Sequence, residues 1–251
     1  MNNNLLFLGK MDIQDKINSS AFENYSNKNP WPDLDNWHKE TFRNIYNFTT
    51  KQLSKYDNSK ALILNAGSGG TDYPHKGTMI HLDIIESYIN KFPHYIVSSI
   101  DQITLDNESV DIIICVGSVI NYADYQKSIK EFSRILKPNG ILILEFERSN
   151  SGEFLFKKNH HRAVFPQSYY YNEQQHILWM YNEKTIIKTM KNYGLTTIKK
   201  YRFHIMSTLL NRCGITESKS AKFIKADRLL APFSYSLAHN CILISKKTSN
   251  I

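Results

Sequence analysis

The sequence predicts an α/β fold: seven strands in one mostly parallel sheet, with helices on both faces. Three observations predict it. Apolar runs of strand length alternate with helical patterns through most of the chain, as a parallel sheet with crossover helices requires. One run, residues 110–116 (VDIIICV), is apolar nearly throughout, which is how a strand buried on both faces reads. A glycine-rich turn, Ala66-Gly67-Ser68-Gly69-Gly70, follows the first run directly, where doubly wound sheets hold ligands at the carboxyl ends of their strands.

The first strand is expected at residues 61–65 (ALILN), the second at 79–83 (MIHLD), the third at 95–98 and the fourth at 110–116. A helix over 125–136 places Ile129, Phe132, Ile135 and Leu136 on one face. Lys137-Pro138-Asn139-Gly140 should stop it and turn the chain into the fifth strand, 141–146 (ILILEF). A helix over 183–193 should end at Gly194, since glycine readily closes a helix C-terminus. Residues 195–203 and 241–245 supply the last two strands. Three segments fall outside the alternation: 1–58, read as a helical lid, and two insertions at about 147–182 and 205–239 within a domain spanning 59–251.

Bulk properties narrow the function. The chain of 251 residues carries a formal net charge of +8, but its lysines are scattered. With no basic stripe interleaved with stacking aromatics, nucleic acid is not the expected partner. No apolar run approaches the roughly 20 residues of a membrane span, and no signal peptide is expected. Cys115, Cys213 and Cys241 are odd in number and widely spaced, with no CxxC metal pattern. They suit free thiols in a reducing, cytoplasmic setting. No metal is expected, and the oligomeric state is left open.

The glycine turn lets backbone approach a ligand with no side chain between them. Asp83, at the end of the second strand, can accept both hydroxyls of a ribose, although an aspartate there can also cap a helix. Two further stretches, SSIDQITLDNESVDIIICVGS and FSRILKPNGILILEF, complete a pattern. Together these segments resemble the class I S-adenosylmethionine (SAM)-dependent methyltransferases of type 11, which have a Rossmann-like fold. The resemblance is good over about 60–147 and looser to 247. It implies SAM as cofactor, held by Asn65, Ala66, Gly67, Gly69, Asp83, Ile84, Ser99, Ile100, Val116 and Gly117. Two departures stand out: Asn65 replaces the usual acid of the first motif, and Ser99 replaces a common aspartate, with Asp101 as its candidate substitute. The short span from the turn to Asp83 carries Pro74, so the first crossover helix should be stunted. That loss fits SAM, which has no phosphate, better than NAD, whose pyrophosphate needs a helix N-terminus.

The methyl acceptor is expected between the segment 25–38, with two tryptophans and two prolines, and the loop following the fifth strand. Arg148, Arg162 and Tyr169 are the candidate acceptor-binding residues, and Tyr122, His38, His160 and His161 the candidate catalytic ones. The Arg/His-rich loop and the excess positive charge suggest an anionic acceptor. O-methylation of a carboxylate or hydroxyl on a small molecule, or on a peptide or glycan end, is therefore the leading expectation, a peptide C-terminal carboxylate being one version. N-methylation of a small molecule and a non-catalytic SAM-binding role are the rivals.

Overall fold

The computed structural model of the protein describes residues 3–26, 36–171, 174–230 and 237–249. Helices α1 (Asn3–Tyr25) and α2 (Asn36–Tyr56) precede β1 (Leu62–Ala66) and β2 (Thr78–Asp83). Then come α3 (Glu86–Ile89), β3 (Tyr95–Val97), β4 (Val110–Cys115) and α4 (Tyr125–Ile135). Strand β5 (Leu136–Glu147) leads into a hairpin of β6 (Val164–Tyr171) and β7 (Gln174–Tyr181). Helix α5 (Glu183–Asn192), β8 (Leu195–Phe203), α6 (Met206–Arg212), α7 (Glu217–Ser220), a 3-10 segment (Ala221–Arg228) and β9 (Asn240–Lys247) complete the chain.

The main sheet has seven strands in the order β3-β2-β1-β4-β5-β9-β8. The first five are parallel; β9 runs antiparallel between β5 and β8. Strand direction and inward-facing residues explain the two cores. Leu64, Ile113, Leu142 and Leu144 pack with Ile129, Phe132 and Ile135 of α4 and Ile186 and Met190 of α5, and Ile17 of α1 joins them. On the other face, Ile63, Ile112, Ile114 and Ile143 pack with Ile45 and Leu53 of α2 and Ile224. Local signals set the helix ends. The Asp124 side chain accepts from the Gln126 and Lys127 amides to start α4, and that of Asn182 accepts from Lys184 to start α5. Gly194, at φ +75°, ends α5.

Two expectations change. Lys137 to Gly140 stops α4, but it does not leave the sheet: it is already the start of β5. The extra residues are taken up by a register shift against β4 between Val110 and Ile112, with Asn139 at φ +67°. Residues 147–182 contain the β6–β7 hairpin, paired from Val164↔Tyr181 to Tyr171↔Gln174. Its aromatic and β-branched residues make it a strand pair, which the interspersed polar residues concealed. Between β1 and β2 there is no helix, and the Asn65 amide donates to the Thr71 carbonyl at 2.8 Å to pin the loop instead. Among the described residues no helix is long and apolar enough to cross a membrane. Cys115 and Cys241 are buried, Cys213 is exposed, and all three are free thiols.

Candidate active site

The carboxyl ends of β1, β2 and β4 open into a cavity of about 1340 Å³. Its floor on one side is backbone. Gly67, Gly69 and Gly70 take φ of +70°, +52° and +75°, values that side chains disfavour. The Gly67 and Ser68 amides donate to the Leu82 carbonyl at 2.7 and 3.0 Å, stitching the turn to β2. A Cβ on Gly67 would lie 2.3 Å from a Val119 methyl, so the turn tolerates nothing larger. The two oxygens of Asp83 each accept a backbone amide, from Gly69 (2.8 Å) and Ile85 (3.0 Å). Asp83 thus braces the glycine turn as well as facing the cavity, and an ionised carboxylate keeps further lone pairs for a ligand's hydroxyls. Burial pushes its pKa up, and those amide bonds offset the rise.

Nine of the ten expected cofactor contacts line this cavity: Asn65, Gly67, Gly69, Asp83, Ile84, Ser99, Ile100, Val116 and Gly117. Ala66 does not, because its side chain is buried in the core beneath the turn. The bare glycine turn, the doubly braced carboxylate and the apolar Ile100 beside Ser99 fit a ligand made of ribose, purine and a thioether-like chain. Residues 68–144 match the family described as the methyltransferase domain. Residues 68–144 thus form a methyltransferase domain similar to those of the class I, SAM-dependent enzymes.

The chain is 34% identical over 68 residues to the ubiquinone/menaquinone biosynthesis C-methyltransferase UbiE of Campylobacter jejuni, a match covering 26% of this chain and 29% of that relative's length. Among solved structures, the 1,6-didemethyltoxoflavin-N1-methyltransferase of Burkholderia thailandensis superposes with a TM-score of 0.54 at 12% identity, over 96% of this chain and 89% of that one. A Pyrococcus horikoshii protein gives a TM-score of 0.57 at 14% identity, over 90% and 99%. These likenesses support the fold.

The other half of the cavity is built from side chains. Tyr122, His38 and Tyr169 line it, with Tyr25 and Trp37. The Tyr25 and Tyr122 hydroxyls meet at 3.2 Å, and the Tyr88 hydroxyl donates to the Tyr25 carbonyl. Burial raises the pKa of both Tyr25 and Tyr122, so neither hydroxyl is a base at neutral pH. Trp37 stacks on His204 at 3.9 Å, and His204 bonds Thr41 and Ser207 at 2.7 Å each, fixing the start of α2. The remaining segment 27–35, with Trp31 and its two prolines, lies outside the described residues, as do the side chains of Tyr170 and Tyr171.

Four expected residues lie elsewhere. Arg148 is fully buried in an ion pair with Glu183 at 3.3 Å and donates to the Ala238 carbonyl at 2.9 Å. It braces β5 against α5 and cannot reach a ligand. Arg162 is exposed and bonds Asn159. His160 and His161 pack ring to ring at 3.8 Å, away from the cavity lining.

What the sequence reading missed is acidic. Glu147, Glu153 and Glu217 line the cavity with His239. His239 Nε2 lies 3.2 Å from Glu147 and its Nδ1 3.5 Å from Glu153. Tyr169 donates to Glu153 at 2.9 Å and Ser118 to Glu147 at 2.9 Å. Burial alone would favour neutral imidazole, but the two carboxylates raise the His239 pKa to about 8, and Glu147 is lowered in return. Below this, fully buried Glu145 accepts the Gly117 and Ser118 amides at 3.0 and 2.6 Å and the Asn240 side chain at 2.8 Å. Its pKa is raised to about 7 by burial. The one sequence signal for this cluster was the pair Glu145 and Glu147 in an otherwise apolar run.

Proposed function

We propose that this protein transfers the methyl group of SAM to a small molecule bound in the same cavity, through a hydroxyl or amine nucleophile. The observation that carries the reading is the continuity of the cavity. It runs from the glycine turn and Asp83 to the Glu147–His239 cluster, and at about 1340 Å³ it exceeds the roughly 300–1,000 Å³ typical of one drug-sized ligand. SAM supplies an electrophilic methyl carbon. The chain's part is to present the acceptor's lone pair in line with it and to exclude water, for which Tyr25, Trp37 and Tyr122 supply the wall. An anionic acceptor is no longer favoured, because no lysine or arginine lines the cavity among the described residues.

Calorimetry with SAM and S-adenosylhomocysteine, on the wild type and on Asp83→Ala, tests the cofactor half. Unchanged affinity in the variant would refute the assignment. Conversion of SAM to S-adenosylhomocysteine that depends on an added small molecule separates catalysis from a purely SAM-binding role.

A further inference from the structure

Resting on the reading above, we infer that the acceptor is an amine, bound as an ammonium between Glu147, Glu153 and the side-chain oxygen of Asn240 under an aromatic wall, and that one of these carboxylates takes its proton before the freed lone pair attacks the methyl carbon and S-adenosylhomocysteine leaves. Three independent features point there. The first is charge. Carboxylates of Glu147, Glu153 and Glu217 line this half of the cavity with no lysine or arginine among the described residues, and His239 lies against the first two. An ionised carboxylate only accepts hydrogen bonds, so a ligand that donates several N–H groups matches this lining and a carboxylate ligand opposes it.

The second is an orphaned acceptor. Asn240 lines the cavity and is 2% exposed. Its Nδ2 donates to Glu145, while its Oδ1 is buried with no hydrogen-bond partner in the structure. A buried acceptor left unmade is costly, and an N–H donor from a ligand would satisfy it. Asn240 sits directly opposite Glu147 across the β5–β9 ladder, so orphan and carboxylates serve one ligand. The third is the wall. Trp37, with its ring centre 6.0 Å from that of His239, and Tyr169 line the same space, and their apolar bulk displaces water that would compete for the carboxylates. His239, engaged by carboxylates at both nitrogens, positions Glu147 and Glu153 rather than acting as a base.

The test uses three probes of one skeleton, phenethylamine, 2-phenylethanol and phenylacetate, titrated by calorimetry into the full-length protein saturated with S-adenosylhomocysteine. Phenethylamine should bind tightest. Glu147→Gln and Glu153→Gln should each weaken it roughly ten- to hundredfold, the loss of a hydrogen bond to a charged group, and leave S-adenosylhomocysteine affinity unchanged. Thermal melts of both variants check that they remain folded, and Glu153, on the loop after β5, offers the variant least tied to the sheet. Tightest binding of phenylacetate or 2-phenylethanol overturns the inference, as does the absence of amine binding at full S-adenosylhomocysteine occupancy. A Glu147→Gln variant that loses S-adenosylhomocysteine but keeps phenethylamine overturns it too, by giving Glu147 to the cofactor. Absence of S-adenosylhomocysteine binding in the wild type would instead overturn the cofactor reading itself.

Discussion

The two halves of the cavity are made differently. The half proposed for the cofactor comes from one stretch of chain, Asn65 to Gln102, plus the end of β4, and much of what it presents is backbone. The acceptor half gathers Tyr25, Trp37, Tyr122, Glu147, Glu153, Tyr169 and His239, side chains from elements spread over more than two hundred residues. A backbone surface depends on conformation, so it needs glycine and a fixed order of strands. A side-chain surface depends on what the fold happens to bring together, so it can change from one protein to the next while the scaffold stays.

The largest effect should come from Gly67→Val. Its Cβ would collide with Val119 at a position already at φ +70°, and calorimetry should show no SAM binding at all. A folded Gly67→Val protein that binds SAM would break the contrast, since the cofactor half would then not rest on bare backbone. Arg148→Ala comes next and acts on the frame that carries both halves. It deprives Glu183 of a fully buried partner, and breaking a buried pair costs about 3–5 kcal/mol. Arg202, at 2.7 Å from Glu183, should hold the loss to the lower end in denaturant titrations.

A third effect is confined to the acceptor half. The folded pKa of His239 is raised from 6.5 to about 8, so its stabilising contribution is complete below pH 6.5 and lost as pH rises through 8. The shift corresponds to something on the order of 2 kcal/mol. Melting temperature should fall between pH 6.5 and 8.5 in the wild type, and His239→Gln should lack that limb. Glu145 acts in a lower window: an acid raised from 4.5 to about 7 makes stability decline from pH 4.5 to 7, and Glu145→Gln should flatten that stretch alone. Overlapping limbs that neither variant removes would place the titration outside the cavity. The smallest effect is Arg162→Ala, which should leave melting temperature and both ligand affinities unchanged, because the side chain is exposed and off the lining.

The same contrast explains what was legible beforehand. The strands, the glycine turn, Asp83 and the missing first helix follow from residues adjacent in sequence, where periodicity, Pro74 and φ-permissive glycines act locally. The acceptor side does not. Arg148 looks like an anion ligand at the head of an Arg/His-rich loop, yet the chain folds it inward onto Glu183. His239 has no neighbouring pattern at all and becomes part of the site because β9 pairs with β5, placing Asn240 opposite Glu147. Even Asp83 proved to be doubly used, since the amides of Gly69 and Ile85 already occupy one lone pair on each oxygen.

Tyr25 stands where the halves meet, its carbonyl held by Tyr88 from the cofactor side and its hydroxyl by Tyr122 from the acceptor side. Beyond Ile17, which sits in the core, helix α1 is fastened by polar contacts: Gln14 donates to the Tyr122 carbonyl and accepts from the Trp179 indole, and Ser20 and Asn24 donate to the Gln175 carbonyl. Each such bond is worth only about 0.5–1.5 kcal/mol net, so the helix end can be swayed by either ligand. Thermodynamic reciprocity then applies: whatever factor a cofactor gains from drawing Tyr25 into place, an acceptor bound afterwards gains equally, and the same holds with the order reversed.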